Sequence, residues 1–205
     1  MPTPEILVGV QEFQEHYREN RDVYQGLATQ GQSPEVLVIG CSDSRVPPDL
    51  LTRVAPGSLF SMRCLGNVVP PFGSGEMSAG AVVEYAVLTL KVRHILITGH
   101  TDCGAVRALD EPPDWSTGSH IARWIEYARP AKTAVDARGL PAEDRHLAVV
   151  RANVLLQLEH LRSYEPVRAG ERAGTLALHG WVYHLETGIF QTYDDASDAW
   201  SVVGL

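Results

Sequence analysis

The chain has 205 residues, with 17 Lys and Arg against 25 Asp and Glu and a formal net charge of −8. That length suits one domain able to bury a core without disulfide or metal staples. The acidic balance offers no field to a phosphate backbone or an anionic lipid surface, which excludes nucleic acid and membrane as expected partners.

The N-terminus, Met1-Pro2-Thr3-Pro4-Glu5-Ile6, lacks the basic and long apolar regions of a secretory signal. No apolar run is long enough to span a bilayer, so the expected location is cytoplasmic. Three cysteines are an odd number and make no disulfide framework. In a reducing compartment they read as ligands or packed thiols.

From Pro4 to Leu27 the apolar residues Ile6, Leu7, Val10, Phe13, Tyr17, Tyr24 and Leu27 recur near the helical period. This predicts an amphipathic helix or helix pair, either a cover for the chain's own sheet or an arm laid on a second subunit. A turn at 31–34 leads into a β-branched strand, Val36-Leu37-Val38-Ile39, which ends at Gly40 and Cys41. Pro47-Pro48 opens a short helix through Leu51, and Pro56-Gly57 opens a second strand over 58–63. Residues 64–75, rich in Gly and Pro, read as a loop. Over 77–90 the positions Ala81, Val82, Tyr85, Ala86, Val87 and Leu88 predict a largely buried helix crossing back to a third strand, Ile95-Leu96-Ile97-Thr98. A surface linker at 111–116 precedes helices over 119–137 and 143–161, separated by Gly139 and Pro141. Strands over 175–183 and 188–193 meet at the turn Glu186-Thr187-Gly188.

This order predicts an α/β fold: a mostly parallel central β-sheet flanked by helices, with an antiparallel C-terminal edge strand and an N-terminal helical arm. The expected division is an arm over 1–33 and a single α/β domain over 34–205.

Two stretches are built on one plan. In Val36 to Cys41 and in Ile95 to Cys103 an apolar strand stops at a glycine, and metal-binding side chains follow at once. Parallel neighbours present their C-terminal ends at one sheet edge, where open α/β folds place their sites, so Cys41 can meet His100 and Cys103. Two thiolates and an imidazole suit Zn²⁺ and disfavour Mg²⁺ or Ca²⁺. Three protein ligands leave a fourth position for water, which zinc converts to hydroxide near neutral pH, whereas four would close a structural site. Cys64 is the one cysteine left to supply a fourth, its other reading being a packed thiol. Two thiolates cancel the metal's formal charge, so the water should ionise at higher pH than on a site of neutral imidazoles. A carboxylate is then needed to orient that water. Asp43 and Arg45 follow Cys41 at alternate positions, which in an extended loop puts them on one side, with Arg45 holding Asp43 ionised and aimed. Release from Arg45 would let Asp43 swing onto the metal and switch the site off.

Cys41-Ser42-Asp43-Ser44-Arg45 followed by His100-Thr101-Asp102-Cys103-Gly104 resembles the β-class carbonic anhydrases, with weaker echoes at Glu84-Tyr85-Ala86, His179-Gly180-Trp181 and Thr187-Gly188. The resemblance implies reversible hydration of CO₂ to bicarbonate, with Cys41, His100 and Cys103 on zinc and Asp43 and Arg45 as a dyad. It also implies a homodimer as the smallest unit, which favours the arm reading. Gln32, Phe60 and Tyr85 match the pocket positions of the plant-like subtype, where Gln32 and the Gly104 N–H would donate to substrate oxygen and the two rings would line an apolar pocket. Val38 stands where the bicarbonate-regulated subtype carries Trp, so no bicarbonate site of that kind is expected. Cys64 stands where the family usually carries Asn. Two alternatives remain: hydrolysis of COS or CS₂ by the same chemistry, and a non-catalytic zinc or redox module that uses Cys64.

Overall fold

The computed structural model describes residues 3–110 and 119–204, and the predicted linker at 111–116 lies outside them. Strand β1 (Val36–Cys41) pairs in parallel with β2 (Leu59–Cys64) on one side and β3 (His94–His100) on the other. β3 pairs in parallel with β4 (Ala177–Tyr183), and β5 (Phe190–Asp194) and β6 (Ala199–Val202) close the sheet in antiparallel fashion. The order is β2-β1-β3-β4-β5-β6. The mostly parallel sheet is as expected, but its antiparallel edge holds two strands. β6 is four residues long with only Trp200 half-buried, too short and too exposed to write an alternating pattern into the sequence.

The register sets Leu37 beside Ile95 and Ile39 beside Ile97, all fully buried. Since strand side chains alternate, Ile95 and Ile97 share a face with Gly99, and that face meets helix α8 (Ala142–Arg162). Contact there is close. A Cβ built on Gly99 would lie 2.7 Å from a Val154 methyl, and one on Gly180 2.9 Å from the other.

Helices α1 (Pro4–Glu19) and α2 (Arg21–Gln30) are the predicted pair, joined at Asn20. They hold each other through Phe13 against Tyr24, ring centroids 5.6 Å apart, and Tyr17 stacked on Tyr24 at 5.0 Å. Neither buries a residue, and Ile6, Leu7, Val8, Val10 and Phe13 stay about half exposed. α3 (Pro48–Thr52) is the short helix after the prolines. α4 (Ser78–Glu84) runs on through a π-helical turn, Tyr85–Leu90. The expectation of a largely buried helix is corrected here: Ala79, Val83 and Ala86 are buried, but Ala81, Tyr85 and Leu88 face outward. One stripe of the helix is buried, and the other is left exposed by the described residues.

After β3 comes α5 (Gly104–Arg107). The helix predicted over 119–137 is two, α6 (His120–Ile125) and α7 (Arg129–Asp136), parted by a 3-10 turn at Glu126–Ala128 just before Pro130. α9 (Glu165–Arg172) was not anticipated; it opens at Pro166 and buries only Val167. No helix among the described residues is long and apolar enough to cross a membrane.

Candidate metal centre

Cys41 is the last residue of β1 and His100 the last of β3, so parallel pairing delivers both to one sheet edge. Cys103 follows at the start of α5. The ligand atoms of the three lie within 4.8 Å of one another, and the two sulfurs are 4.0 Å apart. All three side chains are buried. His100 Nδ1 donates to the Thr101 carbonyl at 2.8 Å, leaving the Nε2 lone pair facing the sulfurs. Nε2 is fully buried and has no hydrogen-bond partner. A buried polar atom without a partner is costly, and an imidazole fixed through its other nitrogen is how metal-binding histidines are held.

The titration behaviour fits cation binding. The Cys103 thiol bonded to Cys41 drives the Cys41 pKa down against the opposing effect of burial, and the same contact pushes Cys103 up. Burial lowers His100, but its contact with the Cys41 sulfur outweighs this and raises it. The contact thus favours the thiolate at Cys41, the form in which a cysteine binds a metal.

Asp43 and Arg45 come together, though not through an extended loop. The Arg45 backbone N–H donates to Asp43 Oδ1 at 3.0 Å, and Val46 N–H donates to the Asp43 carbonyl at 3.1 Å. This is an Asx turn, which short acidic side chains favour and which the alternation argument overlooked. From the turn the Arg45 guanidinium reaches back with Nε to Oδ1 at 2.9 Å and Nη2 to Oδ2 at 2.7 Å. That fork holds the Asp43 carboxyl well below the usual carboxylate range. Asp43 Oδ2 stands 3.9 Å from His100 Nε2, beside the cluster. Arg63 of β2 fixes the segment from behind, donating to the Cys41 carbonyl at 3.1 Å and the Asp43 carbonyl at 2.5 Å.

A hollow of about 290 Å³ opens on this group, lined by Cys41, Ser42, Asp43, Leu65, Gly104, Ala105, Ala108, Ile121 and Ile125. Its walls are mostly apolar, with the reactive groups at one end. Cys64 stands beside Cys41 in the β1–β2 register but outside the cluster: its thiol donates to the Val68 carbonyl at 3.1 Å, and burial pushes its pKa up to about 12.

The carbonic anhydrase family model matches residues 36–190. The chain is 40% identical over 195 residues to the carbonic anhydrase of Pseudomonas aeruginosa, covering 94% of this chain and 88% of that one. It is also 40% identical over 197 residues to carbonic anhydrase 1 of Escherichia coli O157:H7, covering 94% and 89%. The solved structure of the β-carbonic anhydrase CcaA superposes with a TM-score of 0.89 at 32% identity, covering 98% of this chain and 92% of that chain. The chain belongs to the β-carbonic anhydrase family.

Within this β-carbonic anhydrase the expected pocket residues are scattered. Gly104 lines the hollow, but Gln32, Phe60 and Tyr85 are not among its lining residues. Gln32 is exposed in the turn before β1. Phe60 and Tyr85 pack against each other, centroids 5.8 Å apart, with Tyr85 45% exposed. Val38 lines a small, separate apolar hollow with Leu96, Trp181 and Phe190.

Sequence reasoning missed the support beneath the site. On α8, Asn153 donates to the Gly66 carbonyl at 2.9 Å, and Gln157 donates to Asn153 and accepts from Val69 N–H, both at 2.8 Å. His160 Nδ1 donates to the Val69 carbonyl at 2.7 Å. These bonds fix the loop that carries Leu65. The signal was present: three polar residues at spacings of four and three on a helix that otherwise faces the core.

Proposed function

We propose that this chain catalyses the reversible hydration of CO₂ to bicarbonate and a proton at a zinc ion held by Cys41, His100 and Cys103. The observation that carries the reading is the buried, unpartnered His100 Nε2 grouped with two sulfurs, one of which, Cys41, lines a largely apolar hollow. Zinc bound there supplies the Lewis acidity that makes water a nucleophile near neutral pH. The chain does the rest. Asp43, kept ionised by Arg45, orients the attacking water and takes up its hydrogen bond. Arg45 keeps Asp43 off the metal, and the Gly104 N–H donates to a substrate oxygen. Apolar walls admit linear, uncharged CO₂ more readily than its charged product.

The remaining parts of the reading rest on the family resemblance and on exposed apolar surface. Gln32, Phe60 and Tyr85, which lie outside this chain's own hollow, serve substrate in the manner of the plant-like subtype where a second copy brings them to a hollow. The arm, residues 1–33, lies on a second copy, while 34–205 form the catalytic domain. The working unit is a cytoplasmic homodimer or a higher oligomer built from such dimers.

Measuring metal content together with CO₂ hydration across pH tests this. One zinc per chain is expected, with activity that climbs into the alkaline range, because two thiolates weaken the metal as an acid. Chelation should abolish the activity and zinc should restore it. A zinc-replete protein with no hydration at alkaline pH would refute the proposal. Sulfide release from COS or CS₂ in excess of CO₂ hydration would move the substrate assignment and leave the metal assignment in place.

A further inference from the structure

We infer that Asp102 is a positioning residue for the Asp43–Arg45 pair, an anchor that sets where the Arg45 guanidinium sits and hence where Asp43 points. The inference rests on the proposed catalytic role of that pair.

Asp102 lies between His100 and Cys103, and its backbone takes the left-handed conformation, φ 54°. Non-glycine residues seldom adopt that conformation, though Asp and Asn tolerate it best. The turn aims two oxygens at one guanidinium. Arg45 Nη1 donates to Asp102 Oδ2 at 3.0 Å, and Nη2 donates to the Asp102 carbonyl at 3.2 Å. With Nε and Nη2 already on Asp43, the guanidinium is shared between two acidic residues on different loops. Asp102 Oδ1 in turn accepts from Arg107 Nη2 on α5, which fixes the carboxylate from the other side. The chain of contacts runs α5, Asp102, Arg45, Asp43, and ends 3.9 Å from His100 Nε2.

Two features separate positioning from ordinary surface pairing. Arg45 and Asp102 are each about half exposed, and ion pairs of that kind contribute little to stability. Their removal should leave the fold intact. Without the Asp102 carboxylate, however, Arg45 loses its Nη1 partner and keeps its Asp43 contacts plus the longer bond to the backbone carbonyl of residue 102. Arg45 and Asp43 then hang from the tip of an Asx turn with that carbonyl as their remaining tie to the Asp102 turn, freer to rotate away from the reacting water together. Small misplacements of a catalytic group cost rate heavily.

The backbone conformation supplies clean variants. Glycine fits φ 54° without strain and removes the carboxylate, whereas asparagine also fits and keeps an acceptor oxygen. Asp102→Gly should retain full zinc content and melting temperature while kcat/KM for CO₂ hydration falls roughly tenfold. Asp102→Asn should recover to within about twofold of the parent, and Asp102→Gly should add less than about twofold in an Arg45→Ala background, because both act through one group. A second readout is exchange of the Arg45 Nη1 hydrogens with water by nitrogen-15 NMR, which should accelerate in Asp102→Gly and not in Asp102→Asn, because Nη1 is the nitrogen held by the Asp102 carboxylate. Parent-like kcat/KM in Asp102→Gly, an additive loss on Arg45→Ala, loss of zinc, or unchanged Arg45 exchange would each overturn the inference. If the parent protein hydrates no CO₂, the proposed function falls, while Arg45 exchange still decides whether Asp102 is the anchor.

Discussion

Asp43 is the residue on which geometry and chemistry bear most directly. It accepts three hydrogen bonds from Arg45, one from backbone and two from side chain, yet none ties it to the sulfurs or the imidazole. Replacing it by Ala should therefore leave the metal in place and lower turnover by roughly 10² to 10⁴-fold, the usual range for a general acid–base group. Metal analysis alongside the hydration assay checks both halves, and an undiminished rate would remove Asp43 from the mechanism. Cys64 is the converse case. It is a sulfur near the site whose hydrogen bond goes to Val68 and whose thiol holds its proton far above neutrality. Cys64→Ser should keep its zinc and most of its activity, whereas loss of metal would revive the four-ligand, non-catalytic reading.

At the scale of elements, the strand that carries His100 is set by a glycine. Gly99 has an ordinary backbone angle, and space is what demands it: a Cβ there meets Val154 at 2.7 Å and Val150 at 3.3 Å, both β-branched and buried. Such side chains have little freedom to move aside, so Gly99→Ala should cost about 1–3 kcal/mol of stability. Because His100 is the next residue, the displaced strand should also weaken metal retention. Denaturant unfolding and metal content measured on one preparation report both. The same elements show what the sequence made legible. Cys41, His100 and Cys103 could be placed together because each ends or follows a strongly apolar parallel strand, and parallel neighbours end at one edge. α9 and β6 went unseen because one buries a single valine and the other is an exposed, four-residue rim strand, so neither carries a periodic apolar signal. The contact of Asp43 with Arg45 was foreseen for the wrong reason, since a local Asx turn replaces extended alternation. Asp102 was visible only as part of a motif, because its contacts depend on a backbone angle and on a partner from another loop.

At the scale of the whole molecule the unresolved balance is apolar surface. Ile6, Leu7, Val8, Val10 and Phe13 on α1 and Tyr85 and Leu88 beyond α4 stand open in a single chain. Patches of this kind mark contact surfaces. Two copies exchanging their arms would cover them, so light scattering after size-exclusion chromatography should give twice the chain mass. Phe13→Glu should shift the distribution toward single chains. A parent protein running as a monomer would sink the arm reading.

The placement of the three donors also orders events in time. Cys41 ends one strand, His100 ends its neighbour and Cys103 follows, so no segment shorter than 41–103 holds the full set. A nascent chain released before Cys103 emerges has half a clasp. A site built this way is complete only when β1 and β3 have paired, so adding zinc to the denatured polypeptide should not hasten its refolding.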